Sequence, residues 1–544
     1  MKSPVSFVAS SILALAAAIA SPAAAQTAAK PPRLIVVISV DQFSADLFQE
    51  YRSHFTGGFA RLLGGTVFPS GYQSHAATET CPGHSTILTG FRPEHTGIIA
   101  NNWIDQKAPR TDKQVYCAED ETVPGSTSGN YTVSDKHLLV PTLGERMKAA
   151  NPANRVVSVA GKDRAAVMMG GHRVDELWWW DGKAFVSYAG RATPAVVART
   201  NAAVTARIAQ AEAAMEEPEW CASRDHAVPL SADKSVGTGR FEREAGSTSK
   251  FRASPAFDAA ILALGAGMIQ DMKLGQGPAT DIISIGASAT DYVGHTYGTE
   301  GAEMCIQLAN LDRSLGSFFD VLDETGADYE VVLTADHGGN DLPERERANG
   351  LPEAARADVA LAPTKIGREI GAKLGITGPV LFGDIPSGDV WISIALDAKQ
   401  RKAVQVEAIA RYKAMPQVAA VFTAAQIAKS REPRGPVENW TLLGKARASY
   451  NPAHSGDLLV FLKPRVTPIP DPTHGYVATH GSPYNYDRRV PILFWRKGMA
   501  AAEHTGGIET VDIMPTLAAQ IGLPIAAPKV DGKCLDLATG KPCR

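Results

Sequence analysis

Four short runs of almost wholly apolar, largely β-branched residues recur along the chain, and each meets a polar residue able to do chemistry. LIVVISV ends at Asp41, RVVSVAG at Lys162 and EVVLTA at Asp336-His337, while DIISIGA is followed closely by Asp291. Runs of this length without polar alternation are what parallel strands buried on both faces require, and helical patterns separate them. In an open parallel sheet the ligand site lies beyond the carboxyl ends of the strands. The expectation is an α/β fold, a central mostly parallel sheet flanked by helices, with chemistry gathered along one edge.

Two stretches depart from that rhythm and read as subdomains inserted into one core. The first, at about 166–270, contains ELWWWDGKAFVSY, an aromatic strand with an Asp-Gly turn, and then an Ala-rich helical pattern. Its Trp178–Trp180 triplet fits the core of an aromatic hairpin better than a substrate platform. The second, at about 346–475, strings together DVWISIAL, an amphipathic stretch near 398–414, VAAVF and GDLLVFL, a small α+β unit. The chain re-enters the core near Thr479, and ETVDIMPTLAAQIGLP supplies a closing helix stopped by Gly522.

Residues 1–25 read as an export signal: one lysine, an apolar run, then Ala23-Ala24-Ala25 before Gln26. The run is too short for a membrane anchor and lacks a stop-transfer pattern. The mature domain, 26–544, is expected in the periplasm or outside the cell, with no membrane attachment after cleavage. A formal net charge of −3 with 20% charged residues is no footprint for nucleic acid. Export makes the six cysteines disulfide candidates. Cys534 and Cys543 close a short loop; the other four allow three pairings, of which Cys81–Cys117 with Cys221–Cys305 joins sequence neighbours.

Six residues at the expected sheet edge have metal-ligand chemistry. Asp291 and His295 are spaced i, i+4 and share a face on a helix. Asp336 and His337 are adjacent at a strand end, Asp41 ends the first strand, and His480 lies in THGSPYNYD. Each alone is an ordinary surface pair or cap; together they make a donor set. Mixed imidazole and carboxylate ligands suit zinc, with manganese or iron as alternatives. Six donors are too many for one tetrahedral ion and suit two ions that each keep an open position. Two such ions can stabilise the attacking and leaving oxygens of an in-line displacement, and they favour a phosphate anion.

The nucleophile is sought in TETCPGHSTILTG, residues 78–90. Pro82 suits the first residue of a helix that Gly90 ends, which puts Thr80 at the amino end, where free N–H groups favour an anion. Ser85 resembles the serine of a G-x-S-x-G elbow, but the glycine due two residues later is Ile87. Cys81 lacks the proline and arginine spacing of a sulfatase nucleophile.

At this point the residues match a known family. SVDQF, TETCPGH, GIIANNWID, AGKDRAA, SATDYVGHTYG, TADHGG and ATHGSPYNYDRRVPI occur in this order. By them the chain resembles the alkaline phosphatase superfamily over nearly all its mature length, and within it the exported threonine-nucleophile alkaline phosphatases of Gram-negative bacteria. The resemblance implies one zinc on Asp291, His295 and His480 and another on Asp41, Asp336 and His337. Thr80 would bridge toward the metals as nucleophile and form a phosphothreonine. Asn101 would donate to a phosphoryl oxygen, and Lys162 and Arg164 would clamp the rest, on an extended segment that points both the same way. A monoester's two negative charges use such a clamp, whereas the related nucleotide pyrophosphatases/phosphodiesterases lack the pair. The reading is a phosphate monoester hydrolase of broad specificity, with a phosphodiesterase of the same fold as the alternative. Oligomeric state stays open, a monomer included.

Overall fold

The computed structural model describes residues 30–383, 385–525 and 529–543, together with Met1 and Ser3. Apart from those two residues, the export signal read over 1–25 lies outside the described residues.

The central sheet is built from β1 (Leu34–Val40), β2 (Thr66–Tyr72), β3 (Val156–Ala160), β4 (Glu176–Trp180), β5 (Phe185–Val186), β6 (Asp281–Ala287), β7 (Tyr329–Thr334), β8 (Arg489–Arg496), β9 (Ala502–Glu503) and β10 (Ile508–Glu509). Their order is β9-β2-β8-β7-β1-β6-β3-β4-β5, with β10 also on β2. The inner strands β4, β3, β6, β1 and β7 are parallel. β8 runs antiparallel between β7 and β2, and β5 is an antiparallel edge.

The apolar runs become strands because both faces are covered. Leu34, Val36, Ile38 and Val40 share a core with Ile261, Leu264, Leu311 and Leu315, whereas Ile35 and Val37 face Ile87, Leu143, Met514 and Leu517. The covering helices are α1 (Thr80–Ile87), α2 (Asp163–Gly170), α3 (Pro255–Asp271), α4 (Ala289–Tyr297), α5 (Ala302–Glu324) and α6 (Ile513–Gln520). α6 is the expected closing helix, and Gly522 beyond it takes φ +65°.

The two stretches read as insertions behave differently. The stretch at about 166–270 is divided: α2, β4, β5 and α3 belong to the central sheet and its helical layers. β4 pairs in parallel with β3, because its aromatic run is apolar enough to be buried on both faces. Trp178 and Trp180 lie in one core and Trp179 in the other, so the triplet is structural, in a β4–β5 hairpin turning at Asp181-Gly182. The stretch at about 346–475 carries its own antiparallel sheet, in the order 381–382, 388–392, 458–462 and 418–423. Helices Pro363–Leu374 and Ala398–Ala414 close a separate core there around Ile370, Val404, Tyr412 and Val460. All six cysteines are paired as expected: Cys81–Cys117, Cys221–Cys305 and Cys534–Cys543.

Candidate active site

Strand direction gathers the site. Asp41 follows β1, Lys162 follows β3, Asp291 lies four residues past β6, and Asp336-His337 follow β7, all at the carboxyl edge of the parallel strands. β8 runs the other way, so its beginning lies at this edge, and the loop entering it brings His480. β2 is parallel to the inner strands, and the segment after it delivers Thr80 as the first residue of α1. Two glycines permit the close packing. A Cβ on Gly83 would meet the Asp336 carbonyl oxygen at 2.0 Å, so α1 can lie against the end of β7. One on Gly294 would meet the Gln42 side chain at 1.6 Å; Gln42, at φ +64°, makes the turn after Asp41.

All six expected donors converge. His295 Nε2 lies 3.3 Å from Asp291 Oδ1, with the i, i+4 pair on α4, and His480 Nε2 lies 3.4 Å from the same oxygen. His337 Nε2 is 3.2 Å from Asp336 Oδ2, and its ring stacks on that of His480 with centroids 3.6 Å apart. Two tight groups emerge, Asp291 with His337 and His480, and Asp41 with His84 and Asp336, each offering ligand atoms within 4.8 Å of one another. His337 thus stands between the two sets of donors.

His84 is the residue that sequence reasoning missed. Its Nε2 lies 3.3 Å from Asp41 Oδ1, and its Nδ1 lies 3.3 Å from Asp336 Oδ2 and 2.9 Å from the Thr80 carbonyl oxygen. The available signal was its i, i+4 spacing from Thr80 on the same helix.

The donor chemistry fits cations. Asp41 Oδ1, Asp291 Oδ1, Asp336 Oδ2, His337 Nε2 and His84 Nε2 are buried without a hydrogen bond and meet only carboxylate oxygens and ring nitrogens of the cluster, at 3.2–3.4 Å. Orphaned atoms of this kind cost roughly 1–3 kcal/mol each unless something pairs with them. The imidazoles are already oriented: Nδ1 of His295, His337 and His480 donates to the carbonyls of Ala478, Gly338 and Thr78 at 2.7–2.8 Å. That fixes the tautomer and turns each Nε2 lone pair into the cluster, as metal ligation demands.

The protein's own cations already serve these acids. Lys162 Nζ lies 2.5 Å from Asp291 Oδ2 and 3.0 Å from Asp41 Oδ2. Burial opposes charge on Asp291, but His295 and Lys162 win and hold its carboxyl well below the usual range. Burial likewise opposes a cation at His337, yet Asp336 beside it raises the imidazole to about 9. At His480 burial prevails, reinforced by His337, and the ring falls to about 3.

The remaining predicted residues surround Thr80. Arg164 Nη2 lies 3.4 Å from Thr80 Oγ1, and Asn101 Oδ1 accepts the Cys81 N–H at 2.8 Å, beside the start of α1. The extended-segment reading of Lys162 and Arg164 needs correction. Lys162 is extended, at φ −130°, but Arg164 lies in the first turn of α2. Both still reach the site because Asp163, between them, is drawn away by the hydroxyls of Tyr116 and Tyr131. The rival nucleophiles are engaged elsewhere, Ser85 Oγ on the Pro82 carbonyl and Cys81 in a disulfide.

The edge opens into a cavity of about 550 Å³. Asn101, Arg164, Asp291 and His480 line it, together with Trp391, Leu459, Phe461, Asp389 and Lys463 of the accessory unit. A lining that mixes charged and apolar side chains can hold an anionic group while accommodating varied organic groups.

Residues 35–483 match the family model described as type I phosphodiesterase / nucleotide pyrophosphatase. The chain is 58% identical over 518 residues to alkaline phosphatase PhoK of a Sphingomonas species, covering 94% of this chain and 92% of that protein. It is 46% identical over 522 residues to alkaline phosphatase PhoD of Zymomonas mobilis, covering 95% and 90%. The crystal structure of alkaline phosphatase PafA shares the fold, with a TM-score of 0.79 at 23% identity over 91% of this chain and 96% of that one. On the profile match and these relatives together, the chain belongs to the type I phosphodiesterase / nucleotide pyrophosphatase family, within the alkaline phosphatase superfamily.

Proposed function

We propose that this protein is an exported, zinc-dependent alkaline phosphatase that hydrolyses phosphate monoesters of varied alcohols through a phosphothreonine at Thr80. The observation that carries the reading is the pair of cations aimed at the nucleophile and the donor cluster. Lys162 Nζ reaches Asp41 and Asp291, and Arg164 Nη2 reaches Thr80 Oγ1. A monoester brings about two negative charges and three non-bridging oxygens, which a point charge and a planar fork can both engage. The two close relatives are both named alkaline phosphatases, which favours the same reading.

Asp291, His295 and His480 would hold one ion, and Asp41, Asp336 and His337 the other, with His84 braced against Asp41 and Asp336. Bound there, the ions would supply Lewis acidity, lowering the pKa of an oxygen nucleophile and offsetting charge on the leaving oxygen. Thr80 Oγ1 attacks phosphorus in line, the bond to the leaving oxygen breaks, and water later releases phosphate from the threonine. Arg164 steadies the charge developing at Thr80 Oγ1. Asn101 presents its amide hydrogens to a phosphoryl oxygen while its Oδ1 stays on the Cys81 N–H. Activity should rise toward alkaline pH as competing protons leave the donors.

Three disulfides that use every cysteine fit the oxidising compartment implied by the leader. No helix among the described residues is long and apolar enough to cross a membrane.

The family description makes a diesterase the competing reading. Rates on phenyl phosphate and its matched diester, measured for wild type and Lys162→Ala/Arg164→Ala after chelation and zinc return, separate the two. Monoester turnover that needs zinc and collapses in the double variant is expected. A faster diester reaction, scarcely changed in that variant, would overturn the proposal.

A further inference from the structure

Lys162 and Arg164 are held in the site by different means. The Lys162 ammonium lies between two carboxylates, Asp41 and Asp291. Among the described residues no carboxylate forms an ion pair with the Arg164 side chain, and its Nε is buried without a hydrogen bond. Its hydrogen bonds go to two hydroxyl oxygens: Nη2 lies 3.4 Å from Thr80 Oγ1, and Nη1 donates to the Tyr116 hydroxyl at 3.3 Å. A guanidinium on a flexible stem keeps one plane only when two points fix it. The contact to Thr80 changes as Oγ1 bonds to phosphorus. Tyr116 supplies the point that stays.

The Tyr116 hydroxyl is itself oriented. It has one proton, which it donates to Asp163 Oδ1 at 2.6 Å, and that leaves its lone pairs for Arg164. Tyr131 donates to the other Asp163 oxygen at 2.8 Å, and the two tyrosine rings pack with centroids 4.6 Å apart. Tyr116 ends a short strand, Gln114–Tyr116, that pairs antiparallel with Asn102–Ile104. The next residue, Cys117, donates its N–H to the Asn101 carbonyl oxygen at 2.9 Å and is bonded to Cys81, which follows Thr80. The two oxygens that Arg164 spans, Thr80 Oγ1 and Tyr116 Oη, are therefore carried by residues whose neighbours are covalently joined. Asn101 is tied to the same pair, since its Oδ1 accepts the Cys81 N–H at 2.8 Å.

We propose that Tyr116 is a positioning residue for the reaction: its hydroxyl sets the plane of Arg164 against Thr80 Oγ1, on a hairpin that the Cys81–Cys117 bond fixes to the nucleophile. The proposal rests on the phosphatase reading above and deepens it, by naming what orients one half of the cationic clamp. Tyr116 exchanges no proton with the substrate. It acts through Arg164, so removing its hydroxyl should cost nothing once Arg164 is gone. A side chain that merely packed would cost the same in both settings.

The test is a double-mutant cycle on phenyl phosphate at fixed free zinc, with wild type, Tyr116→Phe, Arg164→Ala and the double variant, and Tyr131→Phe as control. Tyr116→Phe keeps the ring and removes only the oxygen; Tyr131→Phe removes the neighbouring hydroxyl, which bonds Asp163 rather than Arg164. Tyr116→Phe should lower kcat/KM roughly tenfold or more, the scale of one hydrogen bond to a charged group. In the Arg164→Ala background the same change should alter kcat/KM by less than about twofold. Inhibition by orthophosphate should weaken in Tyr116→Phe and no further in the double variant than in Arg164→Ala. Tyr131→Phe should stay within about threefold of wild type. Bound zinc, by metal analysis, should be the same in all five proteins. No loss in Tyr116→Phe, equal losses in both backgrounds, an equal loss in Tyr131→Phe, or a rate that falls only as zinc is lost would overturn the positioning role. An unchanged rate in Arg164→Ala would overturn the cationic clamp of the phosphatase reading and this proposal with it. A large loss in Arg164→Ala with none in Tyr116→Phe would overturn the role of Tyr116 alone.

Discussion

Asp336 and Glu330 are buried carboxylates belonging to the two ends of one strand, and the fold treats them in opposite ways. Asp336 lies just past the carboxyl end of β7, wholly buried; burial would raise it, yet His337 and His84 hold it far below the usual carboxylate range. Glu330 lies near the amino end, equally buried, and burial raises it to about 7 with only Arg496 pulling the other way. Neither Glu330 oxygen has a hydrogen bond. Burial alone therefore does not mark function. At the carboxyl edge the buried acids face a base, a lysine or other donors, and at the amino edge Asp281 likewise has Arg155, whereas Glu330 is simply a cost to folding.

If that contrast is right, changes at the two edges separate activity from stability. The largest effect belongs to Thr80→Ala. It should lower monoester turnover on the order of a thousandfold or more, with no change in the unfolding transition beyond a few degrees, measured by steady-state kinetics and thermal melting. Labelling by a radioactive phosphate monoester at acid quench should give phosphothreonine in wild type and none in the variant. Retained turnover in Thr80→Ala would move the nucleophile elsewhere.

Next comes His84, which touches two proposed metal ligands and the backbone of the nucleophile. His84→Ala should weaken retention of zinc roughly 10–100-fold, the usual consequence of losing a group that braces ligands, read by chelator competition and metal analysis. His84→Gln, which keeps a hydrogen-bonding side chain, should recover part of it. Zinc retention unchanged in both would make His84 a packing residue and remove the base from Asp41.

How much of this could be read from the letters depends on how far apart the partners are in the chain. The strand ends were legible because each apolar run stops abruptly at a polar residue, and parallel topology then brings Asp41, Lys162, Asp291 and Asp336 to one edge whatever lies between. The helix was legible from Pro82 and Gly90, but it begins at Thr80, two residues before the proline expected to open it, while Gly90 beyond its end takes φ +72°. The role of β4 was not. An aromatic run looks the same in a free hairpin as in the sheet, and only its pairing with β3 decides. His84 was hidden for a similar reason: its partners Asp41 and Asp336 come from two distant strands. Arg164 was misplaced by a single residue's conformation, because Asp163 opens a helix where the spacing had implied an extended strand.

The amino end of β7 supplies the smallest change in catalysis and the sharpest test of the contrast. Glu330 is an acid whose pKa is raised on folding, from about 4.5 to about 7. Below about pH 4.5 it is protonated in the folded and unfolded chains alike and contributes no difference. Between 4.5 and 7 the unfolded chain releases its proton while the folded one keeps it, so this residue lowers stability as pH rises; above 7 the cost is constant. Glu330→Gln removes the titration and keeps the shape. Urea unfolding of the metal-free proteins should show the variant no more stable than wild type near pH 4.5, and more stable by up to about 3 kcal/mol at pH 8. Its phosphatase activity with zinc returned should match wild type, because the residue sits a strand's length from the chemistry. A stabilisation that is the same at both pH values would mean that packing, not ionisation, governs this position. A loss of activity would mean that the two ends of the strand are not independent, and the division between a functional and a purely structural edge would fall with it.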